Sequence, residues 1–199
     1  MVNKITIFLL SLLPVSLILG NFVINLNLLL IDFLVLYQCY KTKNWNWIKD
    51  DIFKLLILFY FFLIINSIVA HYLFNTSNNG GLIRSITFIK FILLSYAFRL
   101  LVVDQKILET IFKVWSIVIS IVIFDVFFEK FFGHNLLGYV SPDSTRVVSF
   151  FKDEAIVGAL ILFFGFTIVT YFLNKKFKFI KKIFFNIFLF IIPLSILIS

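Results

Sequence analysis

Apolar positions in this chain run together instead of recurring every third or fourth residue. Several runs exceed the roughly 18 apolar residues that read as a membrane-spanning helix. The pattern predicts about seven helices, over 4–20, 22–40, 53–71, 82–103, 107–128, 154–173 and 183–199. The first two meet at Gly20-Asn21, as in a tight helical hairpin, and Pro14 predicts a kink in the first. Polar residues gather between the runs, above all in "NTSNNGG" at 75–81 and in the long stretch 129–153. No internal repeat or heptad separates from the apolar background. The expectation is an all-α, polytopic transmembrane helical bundle forming a single domain over residues 1–199.

Composition strengthens this reading. The 199 residues are 62% hydrophobic and 14% charged, with mean hydropathy +1.09, whereas soluble domains are about half apolar and a quarter charged. The start, "MVNKITIFLLSLLPVSLILG", imitates a signal peptide, but no small-x-small cleavage site follows, so an uncleaved first helix is expected. An apolar helix still running at Ser199, with an odd helix count, reads as the N-terminal part of a longer protein.

Basic residues set the orientation. With a cytoplasmic N-terminus, the inner segments collect 13 of the 18 Lys and Arg, including the cluster Lys175, Lys176, Lys178, Lys181 and Lys182. Outside remain Arg84, Lys130, Arg146 and Lys152, with Lys90 inside the fourth helix, so 129–153 becomes the main periplasmic loop. The net charge of +8 then reflects topology and anionic lipid headgroups, not a nucleic-acid footprint. One cysteine, Cys39, and two histidines, His71 and His134, leave no Cys-based or His-rich metal centre. Cys39, at the end of an apolar run, reads as a packed thiol. Asn75-Thr76-Ser77 matches a glycosylation sequon, a short and weak pattern.

Ionisable residues at membrane depth are costly and point to function by default. Asp32 reads as a buried acid bonded to a neighbouring helix. Asp125 and Glu129, four residues apart, share a helix face, with Lys130 and Arg84 as candidate partners. Arg84 lies near the outer interface. Lys90 is deeper and needs an anion, either a helix carboxylate such as Asp32 or Asp125, or a ligand phosphate. Asp153 and Glu154 at the start of the sixth helix complement the helix dipole, which alone accounts for them. Arg146, between apolar residues on the face poorest in positive charge, offers a fork suited to a phosphate arriving on a lipid tail.

The stretch "FFGHNLLGYVSPDSTRVVSFFKDEAIVGALI" resembles a region of the bacterial O-antigen ligase and polymerase family. Its pattern FFG-x-N-x-x-G is met by Phe131, Phe132, Gly133, Asn135 and Gly138. The following R-x-S-G-x-F-x-D-E and helix glycine are met by Arg146, Phe151, Asp153, Glu154 and Gly158. "GLIRSITFIKF" is similar to the family's R-S-x-x-F-x-R-F helix, with Arg84, Ser85, Phe88 and Phe91 in place and Lys90 for the second arginine. Val148-Ser149 stand for Ser-Gly, and Lys152 for a glycine. Family members are about twice this length, with a Gly-Glu-Arg motif and a large periplasmic loop beyond the matching part.

The resemblance implies an integral-membrane glycosyltransferase of the C-type architecture in the bacterial inner membrane. Such an enzyme uses an undecaprenyl-diphosphate-linked oligosaccharide at the periplasmic face, in polymerisation or ligation of O-antigen or another surface polysaccharide. Arg84, Lys90 and Arg146 would contact the diphosphate, and Asp153 and Glu154 would orient those cations. The partners implied are lipid-linked oligosaccharide, membrane lipids and other polysaccharide-assembly proteins. No nucleotide, metal or other cofactor is implied, and no residue is identified as the catalytic base. The alternatives are a transporter or flippase of lipid-linked glycan and a non-catalytic, truncated membrane subunit. The absence of paired repeats in the sequence counts against a transporter.

Overall fold

The computed structural model describes residues 2–73, 80–101, 105–141, 146–151, 156–173 and 179–199. Every regular element among them is helical, so the chain is all-α. Four helices are long and apolar enough to cross a membrane: Asn21–Thr42, Asp51–Leu73, Gly80–Leu100 and Gln105–Phe132. Val157–Leu173 and Phe188–Ile198 are apolar but shorter. The chain is a membrane protein, and its described residues fall into two compact units.

The first unit comprises residues 1–9 and 25–105. It holds most of α1 (Val2–Ser11) and α3 (Asn21–Thr42), with all of α4 (Asp51–Leu73), α5 (Gly80–Thr87) and α6 (Ile89–Leu101). The fourth predicted span is thus two helices, which part at Phe88. A 3-10 turn, Asn46–Lys49, leads from α3 to α4 and buries Trp47. The Trp47 indole donates to the Cys39 thiol at 3.2 Å and packs against Phe53 and Tyr96, with ring centroids 4.9 and 5.3 Å away. Cys39 is therefore the packed thiol its position predicts. Beside this cluster Arg99 pairs with Asp50. Further along, α4 meets the α5 helix through Tyr60, whose hydroxyl donates to the Ile86 carbonyl at 3.1 Å, and through a Ser67–Ser85 hydroxyl pair.

The second unit comprises residues 10–24 and 106–199. Its spine is α7 (Gln105–Phe132), which continues past the predicted end at 128 and buries Ile111, Trp115, Ile119, Val122 and Val126 along one stripe. The predicted kink at Pro14 is a break: α2 (Leu13–Ile18) starts afresh with the proline in its first turn. Proline has no N–H to give to the carbonyl four residues back, that of Leu10. The Trp115 indole N–H fills the vacancy, donating to Leu10 O at 3.0 Å. In hydrocarbon such a carbonyl has no water to turn to, so a side-chain donor is the available remedy.

Further along, the chain continues as α8 (Val157–Leu160), a π turn (Ile161–Gly165) and α9 (Phe166–Leu173). The C-terminal α10 (Phe179–Ile198) packs against this composite helix at its glycines. A β-carbon on Gly165 would stand 3.1 Å from the Ile192 side chain, and one on Gly158 would meet the Ser199 hydroxyl at 2.6 Å. Phe112 stacks on Tyr171 with centroids 4.3 Å apart, tying α9 to α7.

Candidate functional site

The C-terminal end of α7 carries a buried polar cluster, all of it within the second unit. Asp125 is fully buried and Glu129 nearly so, at 0% and 4% exposure. Their spacing of four puts both carboxylates on one side of the helix, and what they meet is mostly backbone. Asp125 Oδ1 accepts the Leu136 N–H at 2.7 Å, and Oδ2 accepts the Ser149 hydroxyl at 2.5 Å. Glu129 Oε2 accepts the Ser149 N–H at 2.6 Å. Lys130 makes no ion pair with these acids among the described residues, and Arg84 belongs to the other unit. Hydrogen bonds to the loop instead satisfy both the carboxyl groups and the buried N–H groups.

Asn135 knits the loop from within. It is fully buried. Its Oδ1 accepts the N–H groups of Leu137 and Tyr139 at 3.0 and 2.8 Å, while its Nδ2 donates to the Ser149 carbonyl at 2.6 Å. Gly133 and Gly138 flank this turn with φ of 77° and 82°, a region that glycine enters without penalty. The FFG-x-N-x-x-G spacing thus has a local physical meaning: two left-handed hinges around one side-chain hub.

The same hub fixes the approach to Arg146. Val147, Val148 and Ser149 are buried in succession, whereas Arg146, the residue just before them, is exposed. Ser149 adopts φ 52°, unfavourable for a residue with a β-carbon. Its N–H, hydroxyl and carbonyl are all engaged, by Glu129, Asp125 and Asn135 respectively. The serine at the position where the resembled motif has glycine therefore retains glycine-like geometry, with its hydroxyl bonded. Lys152, Asp153 and Glu154 lie outside the described residues, as does the sequon at Asn75.

In the first unit, Arg84 lies on the first turns of α5. Its side chain is exposed and has no ion-pair or hydrogen-bond partner among the described residues. It lines a cleft of about 350 Å³ together with Ser67, His71, Gly80 and Gly81. The His71 Nδ1 is buried there with no hydrogen-bond partner. Nothing in the sequence linked His71 to Arg84, because the pairing depends on how α4 turns into α5. Positive charge on the arginine, with the leading end of a helix dipole beside it, makes this cleft favourable for an anion.

Lys90 is committed differently. Its ammonium donates to the Asn25 carboxamide and lies 5.2 Å from the centre of the Phe91 ring. It makes no ion pair with Asp32 among the described residues. Asp32 is buried, yet its Oδ1 has no hydrogen-bond partner, contrary to the interhelical bond expected of it. The three predicted cations are thus in two states. Arg84 and Arg146 are exposed, and Lys90 is held by a helix side chain. His134, which the sequence left without a role, places its Nδ1 3.1 Å from the Asn135 carbonyl.

No family model, no curated protein and no solved structure matches this chain.

Proposed function

We propose that the chain is a membrane glycosyltransferase-like protein. Its substrate is an undecaprenyl-diphosphate-linked oligosaccharide at the periplasmic face of the bacterial inner membrane, in polymerisation or ligation of O-antigen or another surface polysaccharide. The observation that carries this reading is the Arg84 cleft, where an unpaired guanidinium and an unpartnered His71 nitrogen share a space of about 350 Å³ at the end of a membrane span. A diphosphate carried on a lipid presents negative charge at that level, with its tail left in hydrocarbon.

In the proposed reaction an acceptor hydroxyl attacks the anomeric carbon, the lipid diphosphate departs with the bonding electrons, and the hydroxyl proton passes to water. Charge grows on the leaving phosphate oxygen, and a fixed cation near it lowers the barrier. Arg84 and Arg146, exposed and without an ion pair among the described residues, are the cations proposed for this role, with Lys90 in a supporting place. Membrane lipids and other polysaccharide-assembly proteins are the partners of this reading.

The test is binding of undecaprenyl diphosphate to the full chain in lipid nanodiscs, read by native mass spectrometry. Arg84→Ala and Arg146→Ala are each expected to weaken binding about tenfold, as loss of one charge-assisted contact does. Wild-type binding by both variants, or no binding by the parent chain, overturns the proposal.

A further inference from the structure

The α4 helix has an unusual surface. None of its residues is buried, whereas the other three spans bury 17% to 44% of their most apolar windows. One side of α4 is accounted for: Phe53, Tyr60 and Ser67 face partners within the first unit. On the other side Leu55, Phe59, Phe62, Asn66, Val69 and Leu73 recur at steps of four and three residues, and all are exposed. That is the spacing of a coiled-coil seam. It is invisible in the sequence because nearly every residue around it is apolar too. Leu58, Phe61, Ile65, Ile68 and Tyr72 beside it are exposed too, so what marks this stripe is the one polar residue in it, Asn66. Phe59, at its edge, also meets the Phe88 ring at 5.9 Å.

Asn66 sets this face apart from ordinary lipid-facing surface. Its carboxamide is exposed and makes no hydrogen bond among the described residues. It lies seven residues before Leu73 in the span, about 10 Å along the helix axis. Acyl chains can neither donate to it nor accept from it, and an unsatisfied amide in hydrocarbon costs several kcal/mol. A polar partner at the same depth removes that cost.

We propose that this face of α4 binds α4 of a second copy of the chain, with the two Asn66 carboxamides bonded to each other across a two-fold axis. A carboxamide carries both a donor and an acceptor, so it complements itself. Two copies inserted the same way run parallel and place Asn66 opposite Asn66 at one depth, without any further adjustment. Isologous contact is the commonest symmetry of homo-oligomers. A single asparagine within an apolar seam also fixes register, since a slip of one turn strands both amides. The 4-3 spacing sets a shallow left-handed crossing, near +20°.

The test uses the full chain in membranes, with its one cysteine replaced (Cys39→Ala). Oxidation of Phe62→Cys and of Val69→Cys is expected to give a species of twice the chain mass, and oxidation of Ile64→Cys, on the opposite side, is not. Energy transfer between differently labelled copies then reports affinity. Asn66→Leu is expected to weaken association roughly three- to thirty-fold, the range for interhelical polar contacts in membranes, and Asn66→Gln to retain most of it. Leucine at an exposed position on a span does not threaten folding, so loss of transfer reads as loss of association. Equal cross-linking on both sides of α4, an adduct of any other mass, or unchanged transfer in Asn66→Leu overturns the proposal.

Discussion

Glu129 Oε2 accepts the backbone N–H of Ser149 at 2.6 Å, across 20 residues of chain. A carboxylate at the end of a membrane helix thereby sets the path of a loop, which in turn presents Arg146. Glu129→Ala is expected to lower stability by roughly 1–3 kcal/mol, because the Ser149 N–H stays buried with nothing to accept it. Glu129→Gln, which keeps an acceptor oxygen, should cost less. Thermal unfolding in detergent measures both, and amide exchange at Ser149 is expected to speed up in the alanine variant.

Ser149 separates two opposing effects. Its φ of 52° favours glycine, while its hydroxyl bond to Asp125 favours serine. Ser149→Ala keeps the backbone strain and loses the bond. Ser149→Gly loses the bond but relieves the strain. The glycine variant is therefore expected to be the more stable of the two by about 1 kcal/mol, a ranking that melting curves of the pair would establish.

Pro14 and Trp115 form a coupled pair through Leu10. Trp115→Phe leaves the Leu10 carbonyl unpaired and should cost roughly 1–3 kcal/mol. With Pro14→Ala already in place, the backbone N–H restored at that position can serve the carbonyl, and the same tryptophan change should cost distinctly less. A double-mutant cycle on unfolding free energy measures the difference, and purely additive effects would refute the account.

At Gly165 the Ile192 side chain leaves almost no room for a β-carbon. Gly165→Leu is expected to destabilise the second unit by about 1–3 kcal/mol through overpacking. Ile192→Ala in the same chain should recover part of the loss, as read by melting temperature.

Asp50 lies outside the spans, where the Ile52 N–H and then the Arg99 guanidinium hold its carboxyl below the ordinary value of 3.8. A lowered folded-state value means that the folded chain binds fewer protons than the unfolded one. Stability from this group is thus full above about pH 4 and is lost as pH falls through the folded value. The pair lies at the surface, so the effect is small. Asp50→Asn should flatten only the acid limb of the stability profile, below about pH 4.

All-α architecture and apolar spans were legible in the sequence because lipid imposes length and hydropathy directly. The break at Phe88, the π turn at Ile161–Gly165 and the start of α8 at Val157 were not, since local hydrogen-bond shifts leave no trace in an apolar run. Asp125 and Glu129 stood out as acids on one face, but their partners did not. Backbone amides carry no signature in a sequence, and the search for cations could not find Leu136 or Ser149. Arg84 was conspicuous as a charge, whereas His71 was not, because its part in the cleft arises only when α4 and α5 fold side by side. Asn66 passed unnoticed for a related reason: an asparagine in a span acquires meaning only once it is known which way it faces.

The Trp115–Leu10 bond joins residues 105 positions apart, and a chain is made from its N-terminus onward. At about 5–20 residues per second, the ribosome takes roughly five to twenty seconds to deliver the indole after Leu10 has been added. During that interval the carbonyl freed by Pro14 lacks the backbone donor that an unbroken helix would supply. Closure of that one hydrogen bond therefore waits on the synthesis of α7: a proline in the first turn of α2 hands the completion of its neighbour's bonding to a tryptophan made 105 residues after Leu10.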